Sequence, residues 1–190
     1  MGSVEKPGSA DHLEGHIAEV IWAVLIREQR HVAGTLIDQS DVKTTVYGQG
    51  ADGHVLYRAR DSSLTFRLWE SKKNSSHQDS LQSTTTGAYR QVRANGARYV
   101  AQLVAANQRK PAPVGPYFAQ LHALWRRKAP SVGVGLALAT HSDTAPERHF
   151  DNMDQLLPGF IAPQLEGSLV GVADFSEFAK MVRARLWKGL

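Results

Sequence analysis

Apolar residues first recur at helical spacing. Leu13, Ile17, Val20, Ile21, Val24 and Leu25 predict a helix over residues 13–27. Trp22, Ala23 and Ile26 cover its other side, so nine of the ten residues 17–26 are apolar and burial nearly all round is expected. Glu19 is the single charge in that stretch. After a connection containing Gly34, residues 41–47 alternate loosely, as a strand does, and Gly48-Gln49-Gly50 marks a turn. Residues 54–58 and 64–72 read as two strands joined around Asp61-Ser62-Ser63, a hairpin.

Helical character returns over residues 80–93 and 97–106, as one kinked helix or two divided near Asn95-Gly96, and Pro111 and Pro113 end it. Pro116 suits a first helical turn, followed by Tyr117, Leu121, Leu124 and Trp125, with Arg126-Arg127-Lys128 closing the helix. Residues 132–139 predict a central buried strand, and 140–167, with three prolines, mostly loop. Residues 169–173 predict a last strand. Asp174 with Glu177 is a capping-box pattern opening a helix that holds Phe175, Phe178, Met181, Val182 and Leu186. The expectation is one α/β domain over residues 12–190, a mixed central sheet flanked by helices in the order α-β-β-β-α-α-β-(β)-α, behind a flexible leader at 1–11.

Composition narrows the chemistry. In 190 residues, 42% hydrophobic content supports a real core, and 22 Lys plus Arg against 18 Asp plus Glu leave a net charge of only +4. That permits a polyanionic partner without announcing one. With no cysteine, disulfides, thiolate nucleophiles, zinc ribbons and iron–sulfur clusters are excluded. No apolar run is long enough to span a bilayer and no basic, cleavable signal precedes the first helix, so a cytoplasmic chain is expected.

The segment GADGHVLYRARDSSLTFRLWESKK, residues 50–73, concentrates the candidate chemistry. At period two Leu64, Phe66 and Leu68 share a strand face, and Glu70 and Lys72 follow them onto it, whereas Ser71 points away and leaves its main-chain carbonyl beside them. A hairpin loop of three or five residues sets Asp52 opposite Glu70; a loop of two or four sets it opposite Ser71. Carboxylates that close repel unless a cation lies between them. Two carboxylates, one peptide carbonyl and waters form an oxygen donor set that suits Mg²⁺, with Mn²⁺ as a substitute. Lys72 beside such an ion can place or help deprotonate a water and offset charge on a pentacovalent phosphorane, which is coherent for phosphodiester hydrolysis.

Asp at the mouth of a hairpin, with Glu-x-Lys closing the next strand, resembles the PD-(D/E)xK nuclease superfamily. The resemblance implies a restriction-endonuclease-like fold, metal binding by Asp52 and Glu70, and Lys72 serving the attacking water. It also implies a helix-borne Glu at the metal, which Glu19 matches by position. GADG, LWESK and the closing hydrophobic-Asp-Phe-x-x-Phe helix are similar to the nuclease subunits of Hachiman anti-phage systems over about residues 13–186. That implies DNA as substrate, a role in antiviral defence and a helicase-type partner. Ala51 stands where the superfamily often has proline, and no Gln-x-x-x-Tyr element follows the strand.

Plainer readings accompany these. Glu70 and Lys72 also suit an exposed strand-end pair, Lys73 a solvated turn, and Glu19 a partner for Arg27 or a core-lining lysine. A fold of this kind retained as a catalytically silent module, gripping nucleic acid or a helicase, is the alternative. His141, Asp143 and His149 fit no common metal spacing and read as polar loop residues, with substrate contact the lesser reading. Ser75, Ser76, Ser80, Ser83 and Thr84 to Thr86 lack a nucleophile elbow and suit helix capping. Arg90, Arg93 and Arg98 on one helix, and Arg126, Arg127 and Lys128 beside Trp125, suit either phosphate contact or solvated helix surface.

Overall fold

A computed structural model of the chain describes residues 10–28, 34–40, 52–74, 80–141, 149–151 and 153–189. Its elements run α1 (Ala10–Glu28), β1 (Gly34–Gln39), β2 (Gly53–Ala59), β3 (Leu64–Asn74), α2 (Leu81–Asn107), α3 (Val114–Arg126), β4 (Val132–His141), α4 (Met153–Leu156), β5 (Leu165–Val172) and α5 (Phe175–Gly189). The strands form one five-stranded mixed sheet in sequence order. β1, β2 and β3 pair antiparallel, whereas β4 joins β3, and β5 joins β4, in parallel. The α/β class and a mixed sheet flanked by helices are those expected. Among the described residues no helix is long and apolar enough to cross a membrane.

Alternation along β3 sorts the two faces. Phe66 and Leu68 join Leu56, Val132, Val134 and Leu136 beneath α2 and α3, where Tyr89, Val92, Val100, Phe118 and Leu121 close the larger core. Each such fully buried side chain contributes roughly 1.5–3 kcal/mol by leaving water. Trp69, on the other face, packs with Trp22, Val55, Tyr57 and Ala137 under α1. Glycine makes that second face possible: a Cβ on Gly135 would lie 2.1 Å from the Trp69 ring, and one on Gly53 would lie 2.0 Å from Trp22. The bare backbone of Gly53 therefore seats α1 against the start of β2.

Several expectations need correction. The first described strand is Gly34–Gln39, in what the hydrophobic pattern gives as connection; the expected strand at 41–47 lies outside the described residues. Gly34 pairs with Ala59, and a Cβ there would meet the Arg58 carbonyl oxygen, so this glycine belongs to the ladder and not to a turn. α1 is not buried all round: Leu13, Ile17, Ala18, Trp22, Ala23 and Ile26 are inside, whereas Val24 is exposed. α2 is one continuous helix of 27 residues. Gly96 does not break it because its missing side chain makes room for Trp125, whose ring a Cβ would approach to 2.9 Å. The 140–167 stretch contains the short α4 and the beginning of β5, and β4 reaches His141.

Candidate active site

The β2–β3 hairpin fixes the register. Arg58 pairs with Leu64 and Gly53 with Trp69, leaving residues 59–63 as the connection. Asp61 accepts the Ser63 N–H at 2.9 Å and Ser62 adopts φ 67°, so a local side-chain bond holds a non-glycine residue in the left-handed region. One step beyond the Gly53–Trp69 pair, this register sets Asp52 across from Glu70. Asp52 Oδ2 accepts the Ser71 N–H at 2.7 Å, anchoring the carboxylate at the strand end.

Main-chain direction alternates as well. The Phe66 N–H bonds to Ser131 on the β4 side, so the even residues of β3 use their peptide groups toward β4. Ser71 is an odd residue whose N–H meets Asp52, and its carbonyl therefore emerges on the Asp52 side too.

Glu70 is fully buried, not part of an exposed strand-end pair. Lys72 Nζ donates to Glu70 Oε1 at 2.5 Å, and its side chain is 32% exposed, so one end of the pair opens to solvent. Burial alone would lower the Lys72 pKa, but the charges of Glu70 and Asp52, the Glu70 hydrogen bond and the charge of Glu19 outweigh it and hold it above the ordinary lysine value. The three acids singled out in the sequence thus all act on Lys72 at one end of β3.

Glu19 comes to this cluster from α1, on the opposite face of the sheet. It lies 4.0 Å from His16 Nδ1, a partner one helical turn back, where Arg27 or a lysine was the expected structural partner. Among the described residues no group of three or more His, Cys, Asp or Glu side chains is arranged to hold a metal ion. Asp52, Glu70 and Glu19 therefore do not form a ready three-carboxylate site, and Glu19 acts on Lys72 through its field. The donor set that fits a hard divalent cation is the two carboxylates Asp52 and Glu70 with the Ser71 carbonyl.

Lys73 is not in a solvated turn. It points to the α1 face and donates to Glu14 Oε2 at 2.7 Å, while Ser176 of α5 donates to Glu14 Oε1 at 2.6 Å. Glu14 is a buried partner that the hydrophobic pattern conceals, although it sits beside Leu13 and one turn before Ile17 and Ala18 on the buried side of α1. A second missed cluster joins His54, Asp38 and Lys110. His54, adjacent to Gly53, is 3.0 Å from Asp38 Oδ2, and Lys110 donates to Asp38 Oδ1 at 2.8 Å. The bulge between Leu36 and Asp38 turns Asp38 toward the α2–α3 face where His54 lies.

The other candidates separate. His149 Nε2 meets Thr85 Oγ1 at 2.5 Å, and because Thr85 gives its own proton to the Leu81 carbonyl, the imidazole must be the donor. Burial lowers the His149 pKa. His141 ends β4, Asp143 lies outside the described residues, and the three do not assemble as a described metal cluster. Ser80 caps α2, accepting the Ser83 N–H, as the capping reading has it; Ser75 and Ser76 lie outside the described residues. Asn74 donates to Thr84 at 2.9 Å, tying the end of β3 to the first turn of α2. No protein-family model matches this chain, and no curated protein matches it.

Proposed function

We propose that this chain is a metal-dependent nuclease that hydrolyses DNA phosphodiester bonds, with a restriction-endonuclease-like core. The observation that carries the reading is the convergence at the end of β3: the charges of Glu70, Asp52 and Glu19 all act on the Lys72 ammonium, and Asp52 is fixed on the Ser71 N–H. Three carboxylates gathered around one cation raise mutual repulsion, and phosphodiester chemistry makes use of such a set.

Asp52, Glu70 and the Ser71 carbonyl would hold Mg²⁺, with Mn²⁺ as a substitute, and the chemistry it supplies when bound is Lewis-acid polarisation of the scissile phosphate. Lys72, held charged and partly open to solvent, orients a water toward the phosphorus and offsets the charge that gathers on the phosphorane. Glu19 steadies the ammonium from the α1 side. The buried hydrophobic floor formed by Leu68 and Leu136 limits competing solvent around Glu70. Resemblance to the nuclease subunits of Hachiman systems extends the proposal to antiviral defence with a helicase-type partner.

Supercoiled and linear DNA incubated with Mg²⁺, Mn²⁺ or chelator test the reading directly. Cleavage should need the divalent ion, and Glu70→Gln or Lys72→Ala should each lower its rate at least about 100-fold. Cleavage by both variants at the parental rate, in protein free of contaminating nucleases, sinks it. Divalent binding that depends on Asp52 and Glu70 without any cleavage would point instead to a silent binding module.

A further inference from the structure

One cation from each of the two groups that the sequence separates, on α2 and at the end of α3, lines a shared cavity of about 310 Å³. Arg93 and Lys128 line it together with Trp125, Phe160, Val92 and Leu157, and among the described residues no acidic side chain does. Trp125 and Phe160 have ring centroids 5.3 Å apart at an interplanar angle of 56°, so two aromatic faces form an angled wall. Lys128 donates to the Pro158 carbonyl and holds its ammonium 5.1 Å from the centre of the Phe160 ring. An ammonium carries three donors, so this contact fixes the cation without exhausting it. Gly159, at φ 89°, keeps the way clear, since a Cβ there would lie 2.4 Å from Lys128 Nζ.

The volume is that of a small-ligand site, mostly apolar with two convergent polar groups. Its chemistry selects a planar aromatic body carrying negative charge. Arg90, one turn before Arg93, and Arg126 and Arg127, next to Lys128 in sequence, are exposed and add positive charge to the same two elements, which favours a phosphate over a single carboxylate. Trp125 and Lys128 precede β4 and Phe160 precedes β5, so the cavity lies toward the N-terminal end of the parallel strands. Lys72 is six residues further along β3 than Phe66, the partner of Val132, which places the cavity about 20 Å from the candidate active site along the strand direction. We propose that this cavity binds a nucleoside phosphate, with the base against Trp125 and Phe160 and the phosphate on Arg93 and Lys128. The proposal does not depend on the nuclease reading.

Titration calorimetry of the full chain in chelator tests it with three probes: deoxyadenosine monophosphate, a 5′-phosphorylated oligodeoxyadenylate and inorganic phosphate. Saturable binding of the mononucleotide identifies a free nucleotide as ligand, and binding of the oligonucleotide alone identifies a strand end; either supports the site. Arg93→Glu, at an exposed position, should weaken binding at least 10-fold. Ala97→Phe, which fills the cavity from its exposed side, should abolish it with the thermal midpoint retained, and Lys72→Ala should leave it unchanged. Inorganic phosphate binding as tightly as the nucleotide, failure of both nucleotides to bind, or loss on Lys72→Ala with retention in Arg93→Glu overturns the assignment.

Discussion

Lys72 and Lys73 leave one strand on opposite faces, and each meets an acid, but the two pairs are built differently. Lys73 reaches Glu14 across 59 residues of sequence, and Ser176 of α5 holds the second oxygen of the same carboxylate. That arrangement ties α1, β3 and α5 together. Lys72 meets Glu70, two residues back on its own strand, and feels Asp52 and Glu19 as well. A contact within one strand joins no elements, and added carboxylates raise the repulsion that folding must overcome. An ion pair that bridges elements is therefore read first as architecture, and one that concentrates like charge at a strand end as a site.

The largest stability effect should come from the bridging pair. Glu14→Ala leaves the Lys73 ammonium, whose side chain is 18% exposed, without its carboxylate and without the tie to Ser176. Breaking a buried pair from one side costs about 3–5 kcal/mol, and the partial exposure here reduces that to roughly 2–4 kcal/mol. Urea unfolding followed by circular dichroism measures it. A loss below about 1 kcal/mol would remove the architectural reading of Glu14.

Glu70→Gln should behave in the opposite way. A glutamine still accepts from Lys72, and the fully buried position no longer carries a charge, so stability in chelator should move by less than about 1 kcal/mol. Mg²⁺ at ten times its dissociation constant should stabilise the parent by about 1.4 kcal/mol, and that increment should vanish in Glu70→Gln yet persist in Glu14→Ala. Collapse of Glu70→Gln in chelator, or equal Mg²⁺ stabilisation of parent and variant, would erase the contrast between the two lysines.

The hairpin makes the Lys72 half of this contrast legible in the sequence. Period-two alternation puts Glu70 and Lys72 on one face, and a five-residue connection is one of the loop lengths that bring Asp52 opposite Glu70. What alternation cannot reveal is which residue of another element approaches the far face, so Lys73 reads as solvated until α1 is seated on it. The same limit hides Arg67, buried with its Nε 2.9 Å from Glu166 across β4: a charged residue on a strand carries no mark of the glycines, Gly133 and Gly135, on the strand between. Glu19 stands out as a lone charge in an apolar helix, and its charge acts on Lys72 from the α1 side. β1 escaped notice because its burial depends on pairing with β2 and not on a strong apolar pattern of its own.

A third acid–cation cluster sharpens the comparison with the smallest expected effect. Asp38 joins β1 to His54 of β2 and to Lys110 in the α2–α3 connection, so like Glu14 it bridges elements, but Lys110 is 40% exposed. Burial opposes ionisation of Asp38, and the hydrogen bonds and charges of His54 and Lys110 outweigh it, leaving its pKa below the ordinary value of 3.8. A carboxylate depressed by folding stabilises the protein above its unfolded pKa, and that stabilisation disappears as the pH falls through the folded value. Asp38→Asn should therefore cost about 1 kcal/mol, the solvent-discounted worth of such contacts, at pH 5 to 7. As the pH falls from the unfolded value through the folded one the gap between parent and variant should shrink, and below the folded value it should close, because the parent then carries a neutral acid at the same place. Urea midpoints measured across pH 2.5 to 7 provide the check. A gap that stays constant into acid would mean that Asp38 stabilises through shape and neutral hydrogen bonds, and that only Glu14 supports the fold through charge.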